Sequence, residues 1–225
     1  MIAIIPARGG SKRIPRKNIK EFMGKPMLAY AIGAARQAGI FEEVMVSTDD
    51  GEIADLAVRY GAQVPFMRRD DTANDTATTF DVIDEVLTAY RQTGKEFETL
   101  CCIYPCVPLL QAATLSRACK AMGPHDAIIP VCQYPAPVEW AMNIEEGVLI
   151  PHDRKAQNIR SQDLSPKYYD AGMFYFCKTA ALHLHRSLMP DDTAAYIISD
   201  AECQDIDTPE DWAVAELKYR MMHHN

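Results

Sequence analysis

The chain has 225 residues, 48% of them apolar, enough for one domain with a sizeable core. Lysine and arginine number 23 against 31 aspartates and glutamates, a formal charge of -8, which excludes nucleic-acid binding through a broad basic face. Seven scattered cysteines form neither a disulfide framework nor a zinc spacing, and no apolar stretch approaches the ~20 residues of a membrane span or forms a signal peptide, so a cytoplasmic protein with reduced thiols is expected.

Residues 2–5 form the first short apolar run and read as a strand buried on both faces. Runs at 44–46, 64–66, 100–103 and 127–129 read likewise. Helical patterns over 26–38, 51–60, 77–93 and 111–122 separate them. This alternation predicts an α/β chain whose mostly parallel sheet is covered on both faces. Its ligand belongs beyond the C-terminal ends of the strands. After Val131 the alternation breaks. Residues 133–165 hold Pro135, Pro137, Pro151 and a predicted hairpin (140–143 with 147–150), and read as an arm leaving the sheet. A strand at 173–176, a helix near 179–187, a short strand near 195–198 and a last helix from 209 complete the chain. No repeat or linker divides it, so 1–225 reads as a single domain.

The loop after the first strand, residues 6–18, reads P-A-R-G-G-S-K-R-I-P-R-K-N. Arg8, Lys12, Arg13, Arg16 and Lys17 concentrate positive charge within an acidic chain. Gly9 and Gly10 let backbone N–H groups turn toward a ligand. Backbone donors beside cations are what a polyphosphate requires. The loop is neither a Walker A motif nor a dinucleotide fingerprint.

Near the other end, Asp205 and Asp207 flank Ile206 and fall on one face of an extended segment, about 7 Å apart at Cα. Mg2+ commonly takes one or two carboxylates, with waters and substrate phosphates completing its shell. The competing reading is that these acids serve the helix that follows, with Thr208 as N-cap, Pro209 at N1 and Asp211 at N3. The histidines form no triad or zinc pattern. Asp49 and Asp50 read as a turn or helix start as readily as part of a site. No side chain stands out as a general base.

The first loop resembles the opening of the CMP-sugar-acid synthetases, the cytidylyltransferases of sialic acids and their relatives. The resemblance continues through Gly24-Lys25-Pro26-Met27, Val46-Ser47-Thr48-Asp49, Arg68, Asp75-Thr76-Ala77, Tyr169-Asp170-Ala171-Gly172 and Asp205-Ile206-Asp207-Thr208. It implies a three-layer Rossmann-like nucleotidyltransferase fold with a small dimerisation arm at about 133–165. It implies CTP and a nonulosonic acid as partners, Mg2+ as cofactor and a homodimer, with no nucleic acid or membrane. Ala7, Arg8, Gly10, Ser11, Lys12, Lys17, Asn18, Arg68 and Ala77 match nucleotide-binding positions. Arg8, Lys12, Lys17 and Asp207 are the expected catalytic groups, and Asp205 and Asp207 the metal ligands. Tyr104, Arg160, Gln162, Tyr169 and Asp170 fall near the sugar acid, with Arg160 assigned to its carboxylate and a surface arginine as the competing reading.

Within that family the chain is most similar to the pseudaminate branch, through Tyr104 and the block Y-D-A-G-M-F-Y at 169–175. It departs from that branch at Pro105, Cys106, Val107 and Met173. The expected reaction is transfer of CMP from CTP to the anomeric hydroxyl of pseudaminic acid, releasing pyrophosphate. Legionaminate, N-acetylneuraminate or Kdo are the alternative acceptors, and a non-catalytic nucleotide sensor is the alternative of another class.

Overall fold

The computed structural model describes residues 1–11, 13–74 and 76–223. β1 (Ile2–Pro6), β2 (Glu21–Phe22) and β3 (Lys25–Pro26) precede α1 (Met27–Ala38). β4 (Glu43–Ser47) leads to α2 (Gly51–Arg59), the single-turn α3 (Asp70–Ala73) and α4 (Thr79–Gln92). β5 (Thr99–Ile103), α5 (Ala112–Met122) and β6 (Ala127–Gln133) follow. The hairpin of β7 (Met142–Glu145) and β8 (Val148–Pro151) leaves the sheet. The chain returns through β9 (Tyr168–Asp170), β10 (Phe174–Lys178), α6 (Thr179–His185), β11 (Thr193–Ile197) and α7 (Pro209–His223).

Local chemistry sets several boundaries. Asp50 caps α2 by accepting from the amides of Glu52 and Ile53. Thr78 and Asp81 close a capping box on α4. Gly39, at φ 66°, ends α1 in the left-handed conformation that a side chain disfavours.

The central sheet runs β11-β6-β10-β5-β1-β4, with β9 joined to the end of β6. β1 pairs in parallel with both β4 and β5. β10 is antiparallel to β5 and β6. Side chains alternate across β1: Ala3 and Ile5 face α1, α2 and α5, while Ile2 and Ile4 face α4 and α6. Two apolar layers thus sandwich the sheet, giving the three-layer α/β architecture expected. Among the described residues no helix is long and apolar enough to cross a membrane.

Two expectations change. Residues 64–66 are not a strand: the pairing is confined to an isolated bridge between Gln63 and Met45, and the chain returns to the sheet edge only where the Arg68 amide donates to the Thr48 carbonyl at 2.8 Å. Pro65, with no N–H, suits the bend between them. The strand expected at 173–176 begins at Phe174 and runs against its neighbours.

The connections leave β1 toward β4 on one side and return to β5 on the other. The crevice between the C-terminal ends of β1 and β5 is therefore the switch point where an open α/β sheet binds ligands. A third, smaller apolar cluster closes one end of it. Ile14 of the first loop, Phe22, Met27, Ile206, Trp212 and Ala215 pack together, with Phe22 and Trp212 meeting edge to face at 5.4 Å. Ile206 is 1% exposed. Burying it turns its two neighbours, Asp205 and Asp207, to the opposite side of the extended segment.

Candidate active site

A cleft of about 490 Å³ occupies the switch point. Arg8, Ser11, Arg13, Lys17 and Asn18 line it from the loop after β1, Arg68 and Ala77 from the segment between α2 and α4, Tyr104 from the end of β5, and Asp207 from the turn before α7.

The loop is held from behind. The Ala7 amide donates to the Ser47 carbonyl at 2.9 Å, continuing the β1–β4 ladder. The Gly9 amide donates to Asp49 Oδ1 at 3.0 Å. A Cβ on Gly9 would come within 2.7 Å of Asp50 Oδ2, so this close approach requires glycine. Asp50 also accepts from Arg16 Nη1 at 2.8 Å. Arg16 adopts φ 55°, a left-handed conformation stabilised by ion pairs to Asp50 and Glu52. The Asp50 carboxyl lies below its usual range: the amides of Ile53 and Glu52 and the Arg16 guanidinium outweigh its desolvation. Asp49 and Asp50, left open in the sequence, thus support the loop from the outside.

Asn18 is buried, donating from Nδ2 to the Arg8 carbonyl at 2.8 Å and accepting from the Cys106 thiol at 3.3 Å. Burial pushes that thiol up to about 12 despite the Lys17 charge beside it. Arg8 reaches the Asn74 carbonyl at 3.4 Å. Gly10 is exposed, with open space where a side chain would stand. Lys12 lies outside the described residues.

Arg68 is 8% exposed and donates to Ser47 Oγ at 3.0 Å and to the Ser47 carbonyl at 2.6 Å. Desolvation pulls its pKa down and Asp49 and Glu85 oppose that, leaving a guanidinium still charged at neutral pH. Asn74 Oδ1 accepts from the amides of Thr76 and Ala77, each at 2.9 Å. The Ala77 amide is therefore engaged within the loop, leaving its carbonyl as the backbone group available to a base.

Opposite the loop, Asp207 Oδ1 lies 2.8 Å from Arg13 Nη2 and 3.5 Å from Lys17 Nζ. Lys17 Nζ also donates to the Ile206 carbonyl at 2.5 Å. The Asp205 carboxylate accepts no hydrogen bond among the described residues. Its pKa is raised, first by desolvation and then by repulsion from Asp207, with Lys17 and Arg13 opposing. Thr208 and Asp211 cap α7 as the sequence predicts: Asp211 Oδ2 accepts from the amides of Asp207 and Thr208 at 3.0 and 2.8 Å. Cap and acidic pair coexist because Asp211 does the capping.

Of the residues expected near the sugar acid, Tyr104 enters the cleft, its ring 5.3 Å from that of Tyr175. Both Asp170 oxygens are engaged, by the Gly172 amide at 2.9 Å and the Tyr175 hydroxyl at 2.7 Å. Tyr169 donates to Asp200 Oδ1 at 3.2 Å. Arg160, Gln162, Tyr169 and Asp170 do not line the cleft. Gln162 borders a separate cavity of about 390 Å³ at the base of the arm, and Arg160 is solvent-exposed nearby in the chain. Sequence reasoning missed Asn74 and gave Cys106 no role, since their parts depend on contacts between distant segments. It counted Arg13 among the loop cations but assigned it nothing.

A switch-point cleft with a cationic, glycine-bearing loop facing the Asp207 carboxylate marks the chain as a nucleotidyltransferase; Asp205, two residues before it, does not line the cleft. The chain belongs to the cytidylyltransferase family, whose model matches residues 2–183. It is 34% identical to a pseudaminic acid cytidylyltransferase of Campylobacter jejuni over all of this chain and 98% of that protein. It is 32% identical to a CMP-N,N'-diacetyllegionaminic acid synthase of Legionella pneumophila over 96% of this chain and 94% of that one. The fold matches a CMP:2-keto-3-deoxy-manno-octonic acid synthetase solved with CTP, at TM-score 0.69 and 17% identity, covering 100% of this chain and 99% of the other.

Proposed function

We propose that this protein transfers CMP from CTP to the anomeric hydroxyl of a nonulosonic acid, with pseudaminic acid the preferred acceptor. The carrying observation is that Arg8, Ser11, Lys17, Arg68, Ala77 and Asp207 line one cleft, in a chain similar from end to end to a pseudaminic acid cytidylyltransferase.

In this reading Arg8, Ser11, Lys12 and Lys17 bind the triphosphate, with Ala7 and Gly10 supplying backbone and Asn18 fixing the loop near the ribose. Arg68 and the Ala77 backbone hold the cytosine. Asp205 and Asp207 hold Mg2+. Two mutually repelling carboxylates, one of which accepts no hydrogen bond among the described residues, suit a hard divalent cation. Among the described residues no group of three or more potential ligand side chains is gathered. The donor set therefore fits a cation whose shell the nucleotide's own phosphates complete. Held by Asp205 and Asp207, Mg2+ would supply positive charge to the phosphates and to the departing pyrophosphate.

As the anomeric hydroxyl oxygen bonds to the α-phosphorus, the bond from that phosphorus to the oxygen bridging the β-phosphate breaks in line, pyrophosphate leaves, and the hydroxyl proton passes to solvent. Arg8 and Lys17 offset the charge that grows on the leaving group, and the rigid backing of the loop keeps them in position. Tyr104, oriented by Tyr175, faces the acceptor. Arg160 and Gln162 are assigned to the acceptor from the arm side, with Tyr169 and Asp170 shaping that wall. The arm pairs two copies: its hairpin leaves Ile144, Val148 and Leu149 at 73%, 62% and 62% exposure, an apolar surface a second copy would cover. The enzyme works in the cytoplasm, where CTP is available.

The test is pyrophosphate release with CTP, UTP, ATP and GTP, each with Mg2+ and a nonulosonic acid. Release restricted to CTP and dependent on the acid is expected. Equal rates with ATP, or release indifferent to the acid, would contradict the proposal.

A further inference from the structure

The basic loop and the acidic pair meet across the mouth of the cleft through a residue with no part in the reaction as described above. Arg13 Nη2 sits 2.8 Å from Asp207 Oδ1, with the arginine side chain 68% exposed and the aspartate 32%. The backbone on both sides is anchored. Ile14, next to Arg13, packs in the cluster that holds Ile206, next to Asp207. The Asp207 amide is held by Asp211 at 3.0 Å. The long, exposed Arg13 side chain can change partner without disturbing that core. Water competes for both members of an exposed ion pair, so this one holds weakly.

We propose that Arg13 is an exchanging counter-ion of the metal carboxylate. It neutralises Asp207 while the cleft is empty, and it transfers to the triphosphate when CTP arrives with its divalent cation. The inference rests on the reading of Asp207 as a metal ligand. Asp205, Asp207 and Asp211 follow one another within seven residues at the turn before α7, and Arg13 acts electrostatically on Asp205 and Asp211 as well as pairing with Asp207. A cation that enters alone releases Arg13 to water, which returns less than a second ionic partner would. A cation that enters with a triphosphate brings the acceptor: the guanidinium fork suits phosphate oxygens, and Arg13 already lines the same cleft as Arg8, Ser11 and Lys17. Cation and nucleotide therefore favour each other's binding, and each is held poorly alone.

The experiment measures binding, not turnover. MnCl2 is titrated by electron paramagnetic resonance and calorimetry into the full chain, without nucleotide and with saturating CTP, in the absence of any sugar acid. CTP is titrated separately in EDTA. Arg13→Gln is expected to bind Mn2+ about two- to fivefold tighter without nucleotide, as expected for release of an exposed ion pair. It is expected to bind CTP in EDTA about tenfold more weakly, through loss of a charge-assisted contact. The enhancement of Mn2+ affinity by CTP falls accordingly. Arg13→Lys keeps the charge without the fork and should lie between. Wild-type Mn2+ affinities in both states for Arg13→Gln would overturn this inference alone. Failure of the wild-type chain to bind Mn2+ even with saturating CTP would overturn the metal role of Asp207, and this inference with it.

Discussion

Asp207 pairs with Arg13 and lies 3.5 Å from Lys17, while its amide belongs to the α7 cap formed by Asp211. Its side chain and its backbone therefore do different work. Asp207→Ala removes the carboxylate and leaves the cap, so the variant is expected to fold and to lose Mg2+-dependent pyrophosphate release by at least about a hundredfold, the scale of losing a charge-stabilising group at a reacting phosphate. Near-normal turnover in the folded variant would show that Asp207 is not a metal ligand. At this scale the sequence was legible where residue type and spacing carry the chemistry, as in the loop cations and the Asp-Ile-Asp alternation. It was not legible where a group's partner decides its role. Asp170 reads as a sugar contact in the resemblance, and the structure adds two partners that spacing does not reveal, the Gly172 amide and the Tyr175 hydroxyl. Asp49 reads as a turn or helix start as readily as part of a site, and only the fold shows that it holds the Gly9 amide from the loop after β4, 40 positions along the chain.

Among the elements, the buried strands announced themselves because a strand covered on both faces is a continuous apolar run. The direction of β10 did not, since an apolar run has no polarity to read. The cluster of Ile14, Phe22, Ile206 and Trp212 was likewise invisible, because it joins the first loop to the last turn. That cluster is what aims the acidic pair at the loop. Ile206→Ala is expected to destabilise the fold by about 2–5 kcal/mol, as core truncations do, and to depress activity beyond what the unfolded fraction explains. Denaturant melts read together with turnover of the folded fraction check this. An activity loss that simply tracks unfolding would mean the cluster does not position Asp205 and Asp207.

For the whole molecule, the three layers and the arm follow from the pattern of the sequence, and the switch point follows from the order of the strands. The arm has a sharper consequence. Its hairpin turns Ile144 and Leu149 toward solvent, in contrast to the buried faces of the central sheet. If a second copy covers them, Ile144→Asp combined with Leu149→Asp yields monomers by light scattering, with secondary structure unchanged. A wild-type chain already monomeric at micromolar concentration would refute the pairing.

The acceptor is the claim on which the functional account turns. Tyr104 enters the cleft with Tyr175 behind it, and aromatic surfaces there suit acylamido methyls and a C9 methyl better than a polar triol tail, which would lose water contacts without replacement. The most direct test is kcat/KM for pseudaminic, legionaminic and N-acetylneuraminic acids at saturating CTP and Mg2+. The account predicts a preference for pseudaminic acid of at least about tenfold over either alternative, the scale of about 1.4 kcal/mol in transition-state binding. A higher kcat/KM with legionaminic or N-acetylneuraminic acid would contradict it.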